Sequence, residues 1–292
     1  MISEQQIKSI IEEVLSSMDK TPAAESSAPV SAPATDIADE DVVDFGNLDL
    51  RSELLVPNAA NDAAYMKMKE TTPARLGIWR TGPRYLTRTM LRFRADHASA
   101  QDAVFNQVDK EFIKEWGILE VRSACEDKDE FLTRPDLGRI LDEETKDVLR
   151  KNCKKAPRVQ IVIIDGLSST AVEVNARDTF ESLMQGLQSH GIETGTPFFI
   201  RNGRVPAMDC ISEVLEPEVT VALVGERPGL ATAESLSCYA SYKASTDRPE
   251  SNRTVVSNIH KMGTPAVEAG AHIADIVAEM LKQKASGIDL KL

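Results

Sequence analysis

The sequence predicts an α/β protein whose carboxy-terminal half is a Rossmann-like parallel sheet with flanking helices. Two apolar, β-branched runs, VQIVIIDG at residues 159–166 and VTVALVGERPGL at residues 219–230, each end in a glycine turn. Such runs are typical of strands that are buried on both faces of a parallel sheet. A helical pattern over residues 178–190, closed by Gly191, follows the first run. Strand and helix signals therefore alternate, as they do in a parallel α/β sheet.

Composition restricts the class of protein. The chain has 292 residues, of which 34 are Lys or Arg and 46 are Asp or Glu, and its net charge is −12. This acidity disfavours a nucleic-acid-binding surface, and no apolar run reaches the roughly 18 to 20 residues of a membrane span. The four cysteines are widely spaced, and the first residues lack a secretion signal. We expect a cytoplasmic protein with no nucleic-acid and no membrane partner.

The first element is predicted to be an amphipathic helix over residues 1–18, whose apolar side chains follow the three-and-four spacing of one helical stripe. Residues 19–49 are rich in Ala, Ser and Pro, and residues 21–50 hold seven acidic residues and no Lys or Arg. This composition predicts a disordered acidic linker. The helix then either folds back on the body of the protein or docks as an address in the groove of a partner.

Residues 50–155 favour helices and carry a regular series of arginines. Arg80, Arg84, Arg88 and Arg92 recur every four residues and would form one ridge if a single helix ran through them. Two kinds of partner suit such a ridge. One is the carboxylates of this chain itself, and the other is an acidic patch on another subunit or an anionic ligand group.

Residues 156–292 form the predicted α/β domain, and its strand ends indicate where a ligand would bind. In open parallel sheets, ligands lie beyond the carboxyl ends of the strands. Three loops follow predicted strands, DGLSST at 165–170, RNGRV at 201–205 and GERPG at 225–229. None has the glycine spacing of a dinucleotide or triphosphate cradle. Glu226, in the third loop, can accept hydrogen bonds from a ligand or form an ion pair with a neighbouring arginine.

The residue types of the chain do not assemble into a catalytic set. The four histidines have no metal partner at a ligand spacing, and there is no G-x-S-x-G elbow. Cys238 lies between apolar and aromatic neighbours and is predicted to be a small core residue, not a nucleophile. His97 does not complete the D-x-H-x-x-G pattern of some cobalt-ligating proteins, because residue 100 is Ala. We therefore predict no catalytic and no metal-ligating residue in this chain.

Seven segments of the chain carry a resemblance to a known family. They are RTGPRYLTRTMLRFRADHASAQDAV, LTRPDLGR, VIIDGLSSTAVEVN, GTPFFIRNGRV, LVGERPGL, ESLSCYASY and SNIHKMGTPAVEA. Read in order, they resemble the small subunits, or light chains, of ethanolamine ammonia-lyases, and they cover nearly everything from about residue 75 to the end. The opening helix also resembles the encapsulation peptides that direct enzymes into ethanolamine-utilisation microcompartments.

The resemblance implies an adenosylcobalamin-dependent lyase that converts ethanolamine to acetaldehyde and ammonia by a radical mechanism. It implies that a large subunit holds the substrate and the catalytic groups, and that this chain closes the cobalamin site and is inactive alone. The cofactor contacts of the family fall on Val205, Glu226 and Val255. A relative has Cys at the third position, so Val255 offers only backbone or apolar contact. The implied location is a bacterial microcompartment, reached through residues 1–18.

A different class of function is also open at this stage. The chain could be a non-catalytic assembly or binding module of a microcompartment, which recruits partners and contacts no cofactor. A self-sufficient hydrolase or transferase is a third class, which the missing nucleophile–base pairs disfavour. Cobalamin binding distinguishes the two classes, because an assembly module would not bind cobalamin and a lyase subunit would contact it.

Overall fold

Eight strands form two sheets in residues 44–292, the part of the chain that the computed structural model describes. In chain order they are β1 Arg80–Thr81, β2 Arg84–Tyr85, β3 Leu119–Arg122, β4 Val159–Ile164, β5 Phe198–Arg201, β6 Val219–Gly225, β7 Leu236–Tyr242 and β8 Thr254–Ile259. β1 and β2 form an antiparallel hairpin. The other strands form one sheet in the order β3-β5-β4-β6-β7-β8, in which the first four are parallel and β7 is antiparallel to both of its neighbours, β6 and β8. The predicted α/β fold with a mainly parallel sheet is confirmed.

Helices flank the six-stranded sheet. In chain order they are α1 Asp62–Glu70, α2 Thr87–Phe105, α3 Lys110–Trp116, α4 Lys128–Thr133, α5 Glu143–Asn152, α6 Ser169–Ala171, α7 Arg177–Ser189, α8 Ala207–Leu215 and α9 Ala266–Gln283. A π-helical turn, Val172–Ala176, joins α6 to α7. Short 3₁₀ helices lie at residues 45–47, 137–139, 250–252 and 287–289. Within residues 44–292, no helix is long and apolar enough to cross a membrane.

The central strands are buried because helices pack on both of their faces. Every residue of β4 and β6 is buried. On one face, α7 and α9 form a core in which Leu183 and Leu187 join Ile273. On the other face, α5 and α8 contribute Leu149 and Ile211 to a second core. A strand buried on both faces needs apolar side chains at consecutive positions, which is why the sequence predicts β4 and β6 correctly.

Two glycines set the separation of α7 and α9. A Cβ atom on Gly186 would lie 2.5 Å from the Cβ of Ala274, and a Cβ atom on Gly270 would overlap the carbonyl oxygen of Thr179. Either contact is too close for non-bonded atoms, so a larger residue would force the two helices apart. Their close approach lets both helices cover the same face of the sheet.

The sequence does not predict β3 and β7. β3 lies in residues 50–155, which favour helices, and it pairs with β5 at the edge of the sheet. Only one of its four residues is buried, so it carries no continuous apolar run. β7 is buried but includes two serines, which interrupt the apolar pattern. The helix predicted over residues 1–18 lies outside the described residues, as does nearly all of the linker predicted over 19–49.

The predicted ridge of four arginines on one helix is wrong. Arg80 and Arg84 lie on the β1–β2 hairpin, and only Arg88 and Arg92 lie on α2. Gly82 has a φ of +58°, a left-handed conformation that turns the chain between the two strands. The turn breaks the helical spacing, so the four guanidinium groups do not share one helix face.

The two arginines of the series that lie on α2 form ion pairs within the chain. Arg88 lies 2.8 Å from Glu53, and Arg92 lies 2.9 Å from Asp96. Pairing with the chain's own carboxylates, one of the predicted alternatives, therefore holds for this half of the series. Arg84 forms no ion pair with a residue of the described range, and for this residue a contact with another subunit stays a prediction.

Candidate functional site

The carboxyl ends of β4, β5 and β6 open into a cleft of about 250 Å³. The three loops that the sequence predicts to meet a ligand contribute to its walls, and β7 closes one side. Its lining combines apolar and charged side chains. The charged residues are Arg139, Arg204, Glu226, Glu250 and Arg253. A cleft of this kind suits a ligand that combines apolar surface with a few polar groups.

Asp165, directly after β4, fixes the loop at the end of β5. Its carboxylate is fully buried and accepts hydrogen bonds from the N–H of Asn202 at 2.9 Å and from the N–H of Gly203 at 3.2 Å. Burial raises the pKa of Asp165, and the positive charge of Lys128 opposes that rise. The anchored loop continues directly into Val205, which lines the cleft.

The loops after β4 and β6 hold each other through backbone contacts. The N–H of Leu167 donates to the carbonyl of Gly225 at 2.9 Å. Gly166 has a φ of +57°, and a Cβ atom on it would overlap the Gly225 carbonyl. A Cβ atom on Gly225 would overlap the carbonyl oxygen of Ser168. Because only glycine fits at both positions, the backbone sets the place of the residue that follows Gly225.

That residue, Glu226, is held by a tyrosine of the neighbouring strand. The hydroxyl of Tyr239 donates to Oε1 of Glu226 at 2.5 Å. Burial, together with the charge of Glu226, raises the pKa of Tyr239, so the hydroxyl stays a donor. Glu226 makes no ion pair with Arg227 among the described residues, and its second oxygen makes no hydrogen bond to them. The carboxylate therefore keeps an acceptor for a ligand in the cleft.

The other two predicted contact residues are Val205, in the loop after β5, and Val255, near the start of β8. Val205 is half-buried and lines the cleft next to α8. Val255 lies on the edge strand β8, where it is 48% exposed and pairs directly with Tyr239 of β7. Residues paired directly across two strands point to the same face of a sheet, so Val255 and Tyr239 share a face. The structure thus brings Val205 and Glu226 into one cleft and puts Val255 beside it, while their contact with a cofactor stays a prediction.

Sequence reasoning missed the charged wall of the cleft. Arg253 donates to Asp209 at 2.6 Å, and only 8% and 9% of these side chains are exposed. Burial raises the pKa of Asp209, and Arg253 opposes the rise. Glu250 lies 3.5 Å from Arg253 and 3.8 Å from Arg139. These residues come from α8 and from two 3₁₀ helices far apart in the chain, so no local motif could have signalled their meeting.

The cleft offers binding groups without a nucleophile–base pair. Its lining includes no Ser, Thr, Cys or His side chain. Cys238 is buried in the core, as predicted, and burial raises the pKa of its thiol. In the described range, 44–292, no three His, Cys, Asp or Glu side chains come together in a group that could hold a metal ion.

Comparison with known proteins gives one consistent result. The sequence model of a family described as ethanolamine ammonia-lyase light chain matches residues 62–291. A Clostridium tetani protein named ethanolamine ammonia-lyase small subunit is 52% identical over 295 residues, which cover 100% of both chains. A Fusobacterium nucleatum protein of the same name is 52% identical over 295 residues, which cover 100% of both chains. A Listeria monocytogenes protein of the same name is 49% identical over 293 residues, which cover 99% of this chain and 100% of the relative.

We expect Asp165→Ala to lower the free energy of unfolding by about 3–5 kcal/mol. The substitution leaves two buried N–H groups without their acceptor and Lys128 without a nearby opposite charge. Urea denaturation of the full chain measures this loss. Asp102→Ala is the matched control, because Asp102 is exposed on α2 and should change the value by no more than about 0.5 kcal/mol. Equal effects of the two substitutions would contradict the anchoring role of Asp165.

Proposed function

Because the chain belongs to the ethanolamine ammonia-lyase light-chain family, we propose that it is the small subunit of an ethanolamine ammonia-lyase and closes the adenosylcobalamin site of a large catalytic subunit. The assembled enzyme converts ethanolamine to acetaldehyde and ammonia. The proposed surface for contact with cobalamin rests on one observation. Val205 and Glu226 line the same cleft, and Val255 lies beside it on β8.

The size and chemistry of the cleft fit contact with one side of cobalamin. Its volume of about 250 Å³ is below the roughly 300–1,000 Å³ of pockets that enclose a drug-sized ligand, and a corrin ring with its side chains is larger than such a ligand. The cleft accordingly accepts groups that project from the corrin. The Glu226 carboxylate accepts hydrogen bonds from amide N–H groups, and Val205 and Val255 supply apolar contact. The large subunit provides the rest of the site.

The role of this chain is to bind and to orient. Adenosylcobalamin, when bound, supplies a carbon-centred radical through homolysis of its cobalt–carbon bond. Tyr239 holds the Glu226 carboxylate in place, and Asp165 holds the loop that bears Val205. The lining of the cleft contains no nucleophile with an adjacent base, and this supports the proposal that the chain is inactive by itself. The substrate and its catalytic groups then belong to the large subunit.

Residues 1–18 are proposed as an address for a bacterial microcompartment. Their apolar residues follow the spacing of one helical stripe, and an acidic linker rich in Ala, Ser and Pro separates them from the α/β body. The match to the family model begins only at residue 62. An amphipathic helix on a tether can bind an apolar groove of a shell or cargo protein without disturbing the enzyme.

Deamination of ethanolamine in the presence of adenosylcobalamin tests the proposed role. We expect ammonia only when this chain and the large subunit are mixed, because each alone lacks part of the cofactor site. Turnover by either subunit alone would contradict the proposal. If the mixture neither turns over nor binds cobalamin, the chain is an assembly module and not a lyase subunit.

We expect Glu226→Gln to weaken cobalamin binding by the mixed subunits about tenfold, the effect of losing one hydrogen bond to a charged group. The amide keeps an oxygen for the Tyr239 hydroxyl, so the thermal unfolding midpoint should not change. Equilibrium dialysis measures the affinity. Glu218→Gln is the matched control, since Glu218 precedes β6 at the opposite edge of the sheet and lies 3.4 Å from Arg158. If the Glu226 variant binds cobalamin with unaltered affinity, Glu226 does not contact the cofactor.

Deletion of residues 1–18 should remove the enzyme from microcompartments and leave its deamination rate unchanged, because the cleft lies within residues 62–291. Fractionation of cells that express the shell and both subunits measures the association. Gln6→Ala, on the polar face of the predicted helix, is the control and should preserve it. If the shortened chain fails to fold, residues 1–18 are part of the core and the proposed address is wrong.

A further inference from the structure

Arg204 is a half-buried cation without a carboxylate partner in residues 44–292. Its backbone N–H donates to the carbonyl of Gly138 at 2.8 Å, and its Nη2 donates to the carbonyl of Phe131 at 2.9 Å. The guanidinium also lies 4.5 Å from the centroid of the Phe131 ring. Its Nε is buried and has no hydrogen-bond partner among the described residues. The side chain is therefore held in place, with one buried donor and further donors of the guanidinium unused.

The charges that act most strongly on Arg204 include two of its own sign. Burial lowers the pKa of Arg204, and the guanidinium groups of Arg139 and Arg227 lower it further, while Cys125 acts in the opposite direction. A half-buried guanidinium that feels two exposed positive charges costs free energy unless an anion joins it. The cluster of Arg139, Arg204 and Arg227, called the arginine cluster below, therefore favours a negatively charged ligand.

Neither carboxylate that lines the cleft forms an ion pair with Arg204 or Arg227. Glu226 accepts the hydroxyl of Tyr239. Glu250 lies 3.5 Å from Arg253 and 3.8 Å from Arg139, so Arg139 is the only member of the arginine cluster that it pairs with. Arg204 and Arg227 form no ion pair with any residue of the described range. Their charges are left for a ligand.

The arginine cluster lies between two openings at the carboxyl edge of the sheet. Arg204 lines the cleft described above together with Arg139. It also lines a second cavity of about 450 Å³ together with Arg227, and much of that cavity is apolar, with Val104 and Leu132 in its wall. An anionic group at Arg204 could thus belong to a ligand that extends into either opening.

We propose that Arg204 and Arg227 bind a phosphate-type oxyanion at this edge. The planar guanidinium fork donates two parallel hydrogen bonds to phosphate oxygens, which would occupy the unused donors. One source of the oxyanion is the phosphodiester in the nucleotide loop of cobalamin, and this identification rests on the proposed function. Free phosphate presents the same oxygens and is the second source.

Binding of cobalamin and of cobinamide to the mixed subunits distinguishes the sources, because cobinamide lacks the nucleotide loop with its phosphodiester. We expect Arg227→Gln to weaken cobalamin binding about tenfold and to leave cobinamide binding unchanged. The loss should shrink at high salt, since the charge of an exposed side chain is screened. Arg158→Gln removes a positive charge near the amino end of β4 and should change neither affinity.

Arg204→Lys is the second variant, because it keeps the positive charge and loses the fork. We expect it also to weaken cobalamin binding selectively over cobinamide. Copurification of the subunits and the thermal unfolding midpoint establish that each variant complex is intact. Arg227 is exposed and therefore tests the site even if substitution of the half-buried Arg204 disturbs folding.

Inorganic phosphate tests the second source. If phosphate raises the unfolding midpoint of the wild-type complex but not of the Arg227 variant, while both bind cobalamin equally, the oxyanion site stands and free phosphate is its ligand. Equal losses of cobalamin and cobinamide binding, or no effect of Arg227→Gln on cobalamin or phosphate, overturn the site. A wild-type complex that binds no cobalamin contradicts the proposed function, and the phosphate measurement then decides on the oxyanion site alone.

Discussion

The geometry of the site depends on one buried carboxylate, that of Asp165. It lies immediately after β4, a strand with no exposed residue, and it satisfies two backbone N–H groups of the turn that follows β5. A buried charge without such donors costs several kcal/mol, so the turn cannot move away without a large loss of stability. The side chain of Lys128, 7% exposed, adds a compensating positive charge. Through this anchor, the ends of two parallel strands act as one rigid edge.

Much of the fold follows from residues that are close in the chain. The apolar runs of β4 and β6 predict buried parallel strands, and the spacing of apolar residues over 178–190 predicts a helix that appears as α7, Arg177–Ser189. The loops that carry Val205 and Glu226 could be assigned to one edge because the carboxyl ends of neighbouring parallel strands meet there. Local pattern and general topology suffice for the loops and for Glu226, whereas Val205 is singled out only by what the family resemblance implies.

The remainder of the site arises from contacts that only the folded chain defines. Tyr239 meets Glu226 because β7 returns antiparallel to β6, and nothing in the β7 sequence fixes that register. Arg253 and Asp209 are 44 residues apart and pair only because α8 and the segment before β8 converge. The prediction that the arginine series forms one helical ridge is wrong because of a local feature of the chain. Its spacing of four fits a helix, but Gly82 and Pro83 form a turn inside it.

Together these contacts produce a carboxyl edge whose loops are fixed in place and whose charged side chains line a cleft. Hydrogen–deuterium exchange of the mixed subunits, with and without hydroxocobalamin, tests most directly whether this edge contacts the cofactor. The account predicts slower exchange at residues 202–205, 226–229 and 254–256 when cobalamin is added. Residues 190–194, near the amino end of β4, should be unaffected. Protection confined to that opposite edge, or no protection in this chain while the large subunit is protected, would contradict the account.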